Sequence, residues 1–347
     1  STQGYSSAAS DVYKRQAYGF YFILGGLSAW IMIPYSDSTG IIFPVFLFWL
    51  YVKLKETESA KKKCVLLFLM FFLCYIGFEI KPMAAIVMIA VAAVEGIHFI
   101  GKLLKKQIVW KKSVLACCLS AVLGIGAAAG GVSAVVDSLH FPVVTDTVLG
   151  WQHHMMLGLN KDTNGGYSQA DFDYSTSFSS AEEQHAAELK EIGKRLKDFG
   201  VGGYLQHFVK KSARNYFDGC FGWGGLGETF YTEIFPERGT VLCSLIRSLY
   251  YDNTEDTLYR YQALFRQILW YMVLVLVPFS VFTKRPLDKK RQVAVLSVLG
   301  LMLYLQIFEA HARYLYTFVP IFVFLATEGI DNLREYLNQK SERRVKK

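Results

Sequence analysis

Eight apolar stretches with few charges recur along this chain, near residues 17–33, 40–52, 64–80, 83–100, 113–136, 262–282, 293–308 and 314–330. Several approach the roughly 20 residues that carry a helix across the hydrocarbon core of a bilayer. The rest of the chain is too poor in charge to do anything else with them. Of 347 residues, 52% are hydrophobic and 19% charged, whereas a soluble domain carries about 25% charge. The 26 Phe and 21 Tyr exclude disorder, and six Cys are too sparse for a disulfide scaffold. The expected fold is an all-α, polytopic transmembrane helix bundle, with five segments in 17–136 and three in 259–330. The run 40–52 is short, and reads either as a re-entrant segment or as a span lengthened by a snorkelling Lys53. Residues 1–16 have no sustained apolar period; they read as a non-native leader that packs poorly, with the natural N-terminal part upstream.

Basic loops orient the bundle. Lys53, Lys55 and Lys61–Lys63 fill one loop, Lys102, Lys105, Lys106, Lys111 and Lys112 a second, and Lys284, Arg285, Lys289, Lys290 and Arg291 a third. The tail 331–347 adds Arg334, Lys340, Arg343, Arg344, Lys346 and Lys347. If each apolar run crosses once, all four clusters share one side, the cytoplasmic one. The net charge of +8 is thereby used by topology and needs no nucleic-acid partner. The turns at 34–39, 80–82 and 309–313 then face outward, together with the long segment 137–258.

That segment reads as a small helical extracytoplasmic domain. Ser180 and Glu183 form a capping box. Leu189, Ile192, Leu196 and Phe199 follow at helical spacing, and Gly200 suits a helix stop. A second helix carries Leu205, Phe208, Val209 and Phe217, and a glycine-rich turn runs from Phe221 through Trp223 to Gly227. Asn160, Asp162, Asn164, Ser168 and Asp171, with Gly165, match a calcium-loop spacing, but no clear helix pair flanks them. They read as an ordered Asx-rich turn. His153 and His154 lack further ligands at metal spacing, so no metal site is assigned. Cys220 and Cys243 permit a disulfide that spacing alone does not support.

Three outward turns carry the candidate chemistry. Asp37 lies between apolar runs, where a carboxylate either caps a turn or serves as a base. Lys81, next to Glu79 and Pro82, either snorkels to headgroups or presents a point charge to an anionic phosphate. Glu309, His311, Arg313 and Tyr314 crowd the third turn; Glu309 and Arg313 can simply pair, or Arg313 can fork onto phosphate. Asp37 is the expected catalytic base, and Lys81, Glu79, Arg313, Glu309, His311 and Tyr314 the expected substrate-binding set. Lys81 and Arg313 should approach within reach of one phosphate, roughly 10 Å apart, where two cations repel by about 2 kcal/mol at an effective dielectric near 20. Glu79 and Glu309 would relieve that repulsion.

At these motifs the chain resembles the GT-C-type integral membrane glycosyltransferases of the dolichyl-phosphate-mannose:protein mannosyltransferase-like family 39. The residues concerned are Tyr35–Thr39, Ile80–Pro82, Gly158–Asn160 with Asn164–Ser168, Asn215–Gly219 with Trp223, and Glu309–Tyr316. The resemblance implies transfer of a sugar from a polyprenyl-phosphate carrier, on the outer face, to a glycan, polymer or protein acceptor, without a cofactor. It places the family's catalytic acid in the first outer loop, a region expected upstream of this sequence. The residues point the same way, because no nucleotide-sugar pool exists outside a cell and a membrane-resident anionic donor suits outward Lys81 and Arg313. A transporter or lipid-linked-sugar flippase would gather polar residues at mid-membrane. A non-catalytic cell-envelope assembly protein would use 137–258 as a binding module.

Overall fold

A computed structural model describes residues 15–107, 112–139, 149–224, 240–251, 257–283 and 286–345. The first fourteen residues of the expected leader, the glycines at 225 and 227, and Lys111, Lys284, Arg285, Lys346 and Lys347 of the basic clusters lie outside the described residues. The described chain is all-α, with no strand.

Among the described residues, seven helices are long and apolar enough to cross a membrane: α1 (Ser36–Glu56), α2 (Ala60–Ile80), α3 (Pro82–Leu104), α4 (Val114–Leu139), α9 (Leu258–Ser280), α10 (Lys289–Ile307) and α11 (Ala312–Ser341). Among the described residues, four further helices lie between α4 and α9: α5 (Trp151–Gly158), α6 (Gln169–Thr176), the long α7 (Ala181–Tyr216) and α8 (Val241–Tyr250). The short 40–52 run is the apolar middle of α1, which is long enough to span.

Residues 17–33 do not form the single span expected. A short helix ends in a π turn at Phe22–Gly26, and an isolated 3₁₀ turn follows at Ala29–Met32. The physical reason is a set of donors that holds the break open. Arg266, buried in α9, donates to the carbonyls of Ile23, Leu24 and Leu27 at 2.9–3.0 Å. Tyr316 donates to Gly25 O at 3.0 Å and Tyr250 to Leu27 O at 2.8 Å. Carbonyls freed by unwinding in an apolar setting need such partners.

Helix ends follow local chemistry. Ser59 caps α2 and Asp288 caps α10 through their side-chain oxygens. Pro82 opens α3, where its missing N–H is not needed. Close packing needs glycine at two crossings: a Cβ at Gly124 would strike the Phe68 carbonyl of α2, and one at Gly329 the Leu276 carbonyl of α9. The core between the helices is aromatic and aliphatic, with Trp30, Tyr51, Trp270, Phe318 and Phe322 fully buried.

The bundle has two unlike ends. At one, Glu95 of α3 meets Lys55 at 2.9 Å and Lys289 at 2.8 Å and accepts a hydrogen bond from Tyr51. Glu56 pairs there with Lys290, and Arg291 with Glu328. These basic residues therefore also clamp α1, α3, α10 and α11 together. The other end carries Asp37, Lys81 and Arg313. Lys61–Lys63 and Lys81 sit at opposite ends of α2, separated by about 30 Å of helix.

Helices α5 to α7 sit over this second end. Ser180 caps α7 by accepting the Glu183 N–H at 3.3 Å. Gly200 breaks α7 in the left-handed region at φ 55°, as a helix stop there requires. The buried stripe of α7 differs from the expected one. Leu189 and Leu196 are exposed, while Gln184, Glu188, Ile192, His207, Lys211 and Asn215 are buried. His207 and Lys211 are buried on this face because they meet the Gly158 and Gln306 carbonyls, which need donors more than apolar cover.

Candidate functional site

The site is built at the end of the bundle where α1 begins, α2 meets α3, and α10 meets α11. Asp37 lies in the first turn of α1 with its side chain wholly buried. Lys81 Nζ is 2.5 Å from one carboxylate oxygen and Arg313 Nε 2.7 Å from the other. These are ionic contacts: neither oxygen makes an aligned hydrogen bond. Two contacts to one carboxylate bring the cations closer than the roughly 10 Å expected of a phosphate-separated pair. The anion between them is Asp37 itself.

Aromatic rings close the cluster. Lys81 Nζ lies 4.3 Å from the centre of the Tyr314 ring, and the Arg313 guanidinium 4.4 Å from that of Tyr35 and 5.5 Å from that of Trp30. Such faces stabilise a cation that has been drawn out of water. Trp30 is held by a bond from Nε1 to the Phe221 carbonyl at 3.0 Å and an edge contact with Trp223. Phe221 and Gly222 both adopt positive φ, in a turn fixed by Asp218, whose carboxylate accepts the N–H groups of Cys220 and Gly222. A Cβ at Gly222 would meet the His311 ring, so glycine admits that imidazole. Cys220 and Cys243 are both free thiols.

Glu309 is buried beside the triad. It accepts from Tyr314 Oη at 2.8 Å and faces His154 Nδ1, from α5, at 3.5 Å. Burial pushes its carboxyl upward, but the contacts with His154 and Tyr314 prevail and hold it below the ordinary value. His311 Nδ1 accepts the Arg313 backbone N–H at 3.1 Å. Burial first, then the Arg313 charge, depress its imidazole to about 4, so the ring is neutral at physiological pH. Glu79 does not join the cluster. Its side chain is exposed and meets Tyr75 one turn back on α2, so it relieves no repulsion between Lys81 and Arg313.

The helical cap is tied to the same end of the bundle. Lys211 Nζ donates to Gly158 O and to Gln306 O, both at 2.9 Å, and His207 also bonds Gly158 O. Ala310 N donates to Gly165 O at 2.7 Å. The 160–171 turn is ordered from within: Asn160 Oδ1 accepts two backbone N–H groups, its amide donates to Asp171, and Asp171 is gripped by both terminal nitrogens of Arg195 at 2.7 and 2.9 Å. A cleft of about 260 Å³ lies between residues 159–162 and 191–199, with Arg195 and Glu191 on its wall already paired. Among the described residues, no group of three or more His, Cys, Asp or Glu side chains could hold a metal ion.

A family model described as a conserved hypothetical integral membrane protein matches residues 16–332. The chain belongs to this family. No curated protein and no solved structure matches it. The matched span of this integral membrane protein takes in every residue of the cluster, from Trp30 to Tyr314. His154, Lys211, Trp30 and Arg266 were not expected at functional positions. For Lys211 a signal existed: His207, Lys211 and Asn215 recur every fourth residue, on one face of α7.

Proposed function

We propose that this protein transfers a sugar from a polyprenyl-phosphate-linked donor to an acceptor, at the end of the bundle that the basic loops place outside the cell. The observation that supports this reading is the convergence of Lys81 and Arg313 on one buried carboxylate. The triad Asp37, Lys81 and Arg313 has a formal charge of +1 when all three are ionised, which suits the single negative charge of a phosphodiester. Asp37 compensates one of the two buried cations, and the positive charge that remains is what an anionic donor would use.

In this reading the donor's phosphate competes with Asp37 for the two cations. Lys81 contributes a point charge and Arg313 a planar fork. The bond from the anomeric carbon to the phosphate oxygen breaks, and its electron pair leaves on the phosphate, where the cations stabilise it. The acceptor oxygen bonds to the anomeric carbon and gives up its proton to a carboxylate. Both oxygens of Asp37 are occupied by the cations until the phosphate takes them, so the carboxylate is free to meet the acceptor hydroxyl only after the donor has bound. Tyr35, Trp30 and Tyr314 keep the cations in place during the exchange.

The test is transfer of radiolabelled sugar from a polyprenyl-phosphate donor to added glycan or peptide acceptors by the full chain in proteoliposomes. Donor-dependent label in acceptor, lost in Lys81→Ala, supports the reading. Donor binding with label exported unchanged across the membrane points to a flippase instead, and no donor binding at all removes the lipid-phosphate assignment.

A further inference from the structure

Helix α8 wears its apolar face outward. On a helical wheel Val241, Leu242, Leu245, Ile246 and Leu249 share one arc, while Cys243, Ser244, Arg247 and Ser248 share the other. Val241 is 88% exposed, Leu242 65%, Leu245 48% and Ile246 46%, and the helix has no buried residue. A helix packed on a water-facing domain turns such an arc inward. With ten residues α8 is also too short to cross a bilayer.

Its surroundings say what covers the arc. The C-terminal end of α8 is pinned to the bundle: Trp223 Nε1 donates to Tyr250 O at 2.6 Å, and Tyr250 Oη donates to Leu27 O at 2.8 Å. α8 packs against α9, whose residues Leu258, Tyr261, Leu264, Phe265 and Ile268 are exposed along a helix apolar enough to span. The apolar arc of α8 therefore continues the outward-facing apolar surface of α9 at the end where that span begins.

We infer that α8 lies in the plane of the membrane at the site end of the bundle, with its apolar arc seated in the headgroup–acyl boundary of that leaflet. Ser244, Arg247 and Ser248 then face headgroups and water, the division such interfacial helices show. This does not depend on the transferase reading. It has a consequence for any activity of the cluster. Trp223, bonded to the last residue of α8, is in edge contact with Trp30, and Trp30 lies beneath Arg313. An interfacial α8 thereby sets the depth of the Asp37 triad relative to the lipid surface.

The test uses the full chain in phosphatidylcholine proteoliposomes, with the native cysteines replaced and single nitroxide-labelled cysteines introduced at positions 241, 242, 244, 245, 246 and 248. Oxygen collisions should exceed collisions with a water-soluble nickel chelate by about tenfold at 241, 242, 245 and 246, and the order should reverse at 244 and 248. Equal access of the chelate to all six positions overturns the inference, because α8 would then project into water. Low access of both reagents at the apolar positions also overturns it, because another protein surface would cover them. The unaltered chain gives an independent check that needs no variant to fold. A carbene reagent carried on a lipid acyl chain should label the 241–250 peptide as it labels 258–268; labelling of 258–268 alone sinks the proposal.

Discussion

Arg313 sets its Nε 2.7 Å from the carboxylate of Asp37, joining the first turn of the last span to the first turn of the first. Lys81 reaches the same carboxylate from the junction of α2 and α3. One buried acid thus fastens three separate parts of the bundle. Removing a single partner from such a group leaves buried charge uncompensated, which costs about 3–5 kcal/mol. Asp37→Asn should accordingly lower the thermal unfolding midpoint of the detergent-purified chain. Inorganic phosphate should restore part of the loss in the variant and do less for the parent, whose own carboxylate occupies the cations. Equal phosphate response in the two proteins would contradict the competition between Asp37 and a phosphate.

Lys81 and Arg313 should fail in different ways. Lys81→Ala removes a charge from the leaving phosphate and should slow transfer by about 10²-fold, the scale seen when one preorganised electrostatic partner is lost. Arg313→Lys keeps the charge but loses the planar fork and its stacking on Tyr35, so donor binding should weaken by about tenfold with little loss of fold. Steady-state transfer assays with varied donor separate the two: the first variant changes kcat, the second mainly KM. Parental kinetics in both would leave the cations with a purely structural role.

Much of this arrangement is legible in the residues alone, and the exceptions are physical. Apolar runs announce the spans because nothing else accommodates so little charge, and Asp37, Lys81 and Arg313 stand out as charges beside them. Residues 17–33 look like one more span because hydropathy sums side chains and is blind to backbone donors. Arg266, about 240 residues away, is what makes the break tolerable. The polar stripe of α7 is hidden for a related reason. Periodicity locates an apolar face, whereas Lys211 is buried by carbonyls that belong to Gly158 and Gln306. Glu79 shows the converse error. It adjoins Lys81 in sequence, but the chain turns at Lys81 and Pro82, and Glu79 stays exposed on α2.

The two glutamates should therefore behave unlike each other. Glu79→Gln should change neither stability nor donor binding, since its side chain is exposed and away from the triad. Glu309→Gln should do both. It removes the charged acceptor of Tyr314 and the partner of His154, and through Tyr314 it loosens the ring beneath Lys81. A hydrogen bond to a charged group contributes about 1.5–3 kcal/mol, and a loss of that size is expected in the unfolding free energy. If Glu79→Gln proves the more damaging of the two, the membership of the site is wrong.

Lys211 makes the docking of the helical cap pH-dependent in a defined direction. Burial holds its ammonium at about 7, against an ordinary value of 10.5. The unfolded chain therefore binds this proton up to about 10.5, while the folded chain releases it above about 7. Between those limits the unfolded state carries the extra proton, so stability rises with pH, by at most about 1.4 kcal/mol per unit. Below the lower limit both states are charged and the full penalty of the buried cation remains. His311, depressed to about 4, acts in the same sense between there and 6.5, in a separate window. Above the lower limit the neutral amine still has two hydrogens for Gly158 O and Gln306 O, so the contacts survive the proton's loss. Unfolding midpoints of the full chain between pH 7 and 10 should climb in the parent. They should climb less in Lys211→Met, which has no such proton to release there. A rise of the same size in both proteins would assign the pH dependence to other groups and remove Lys211 from the account.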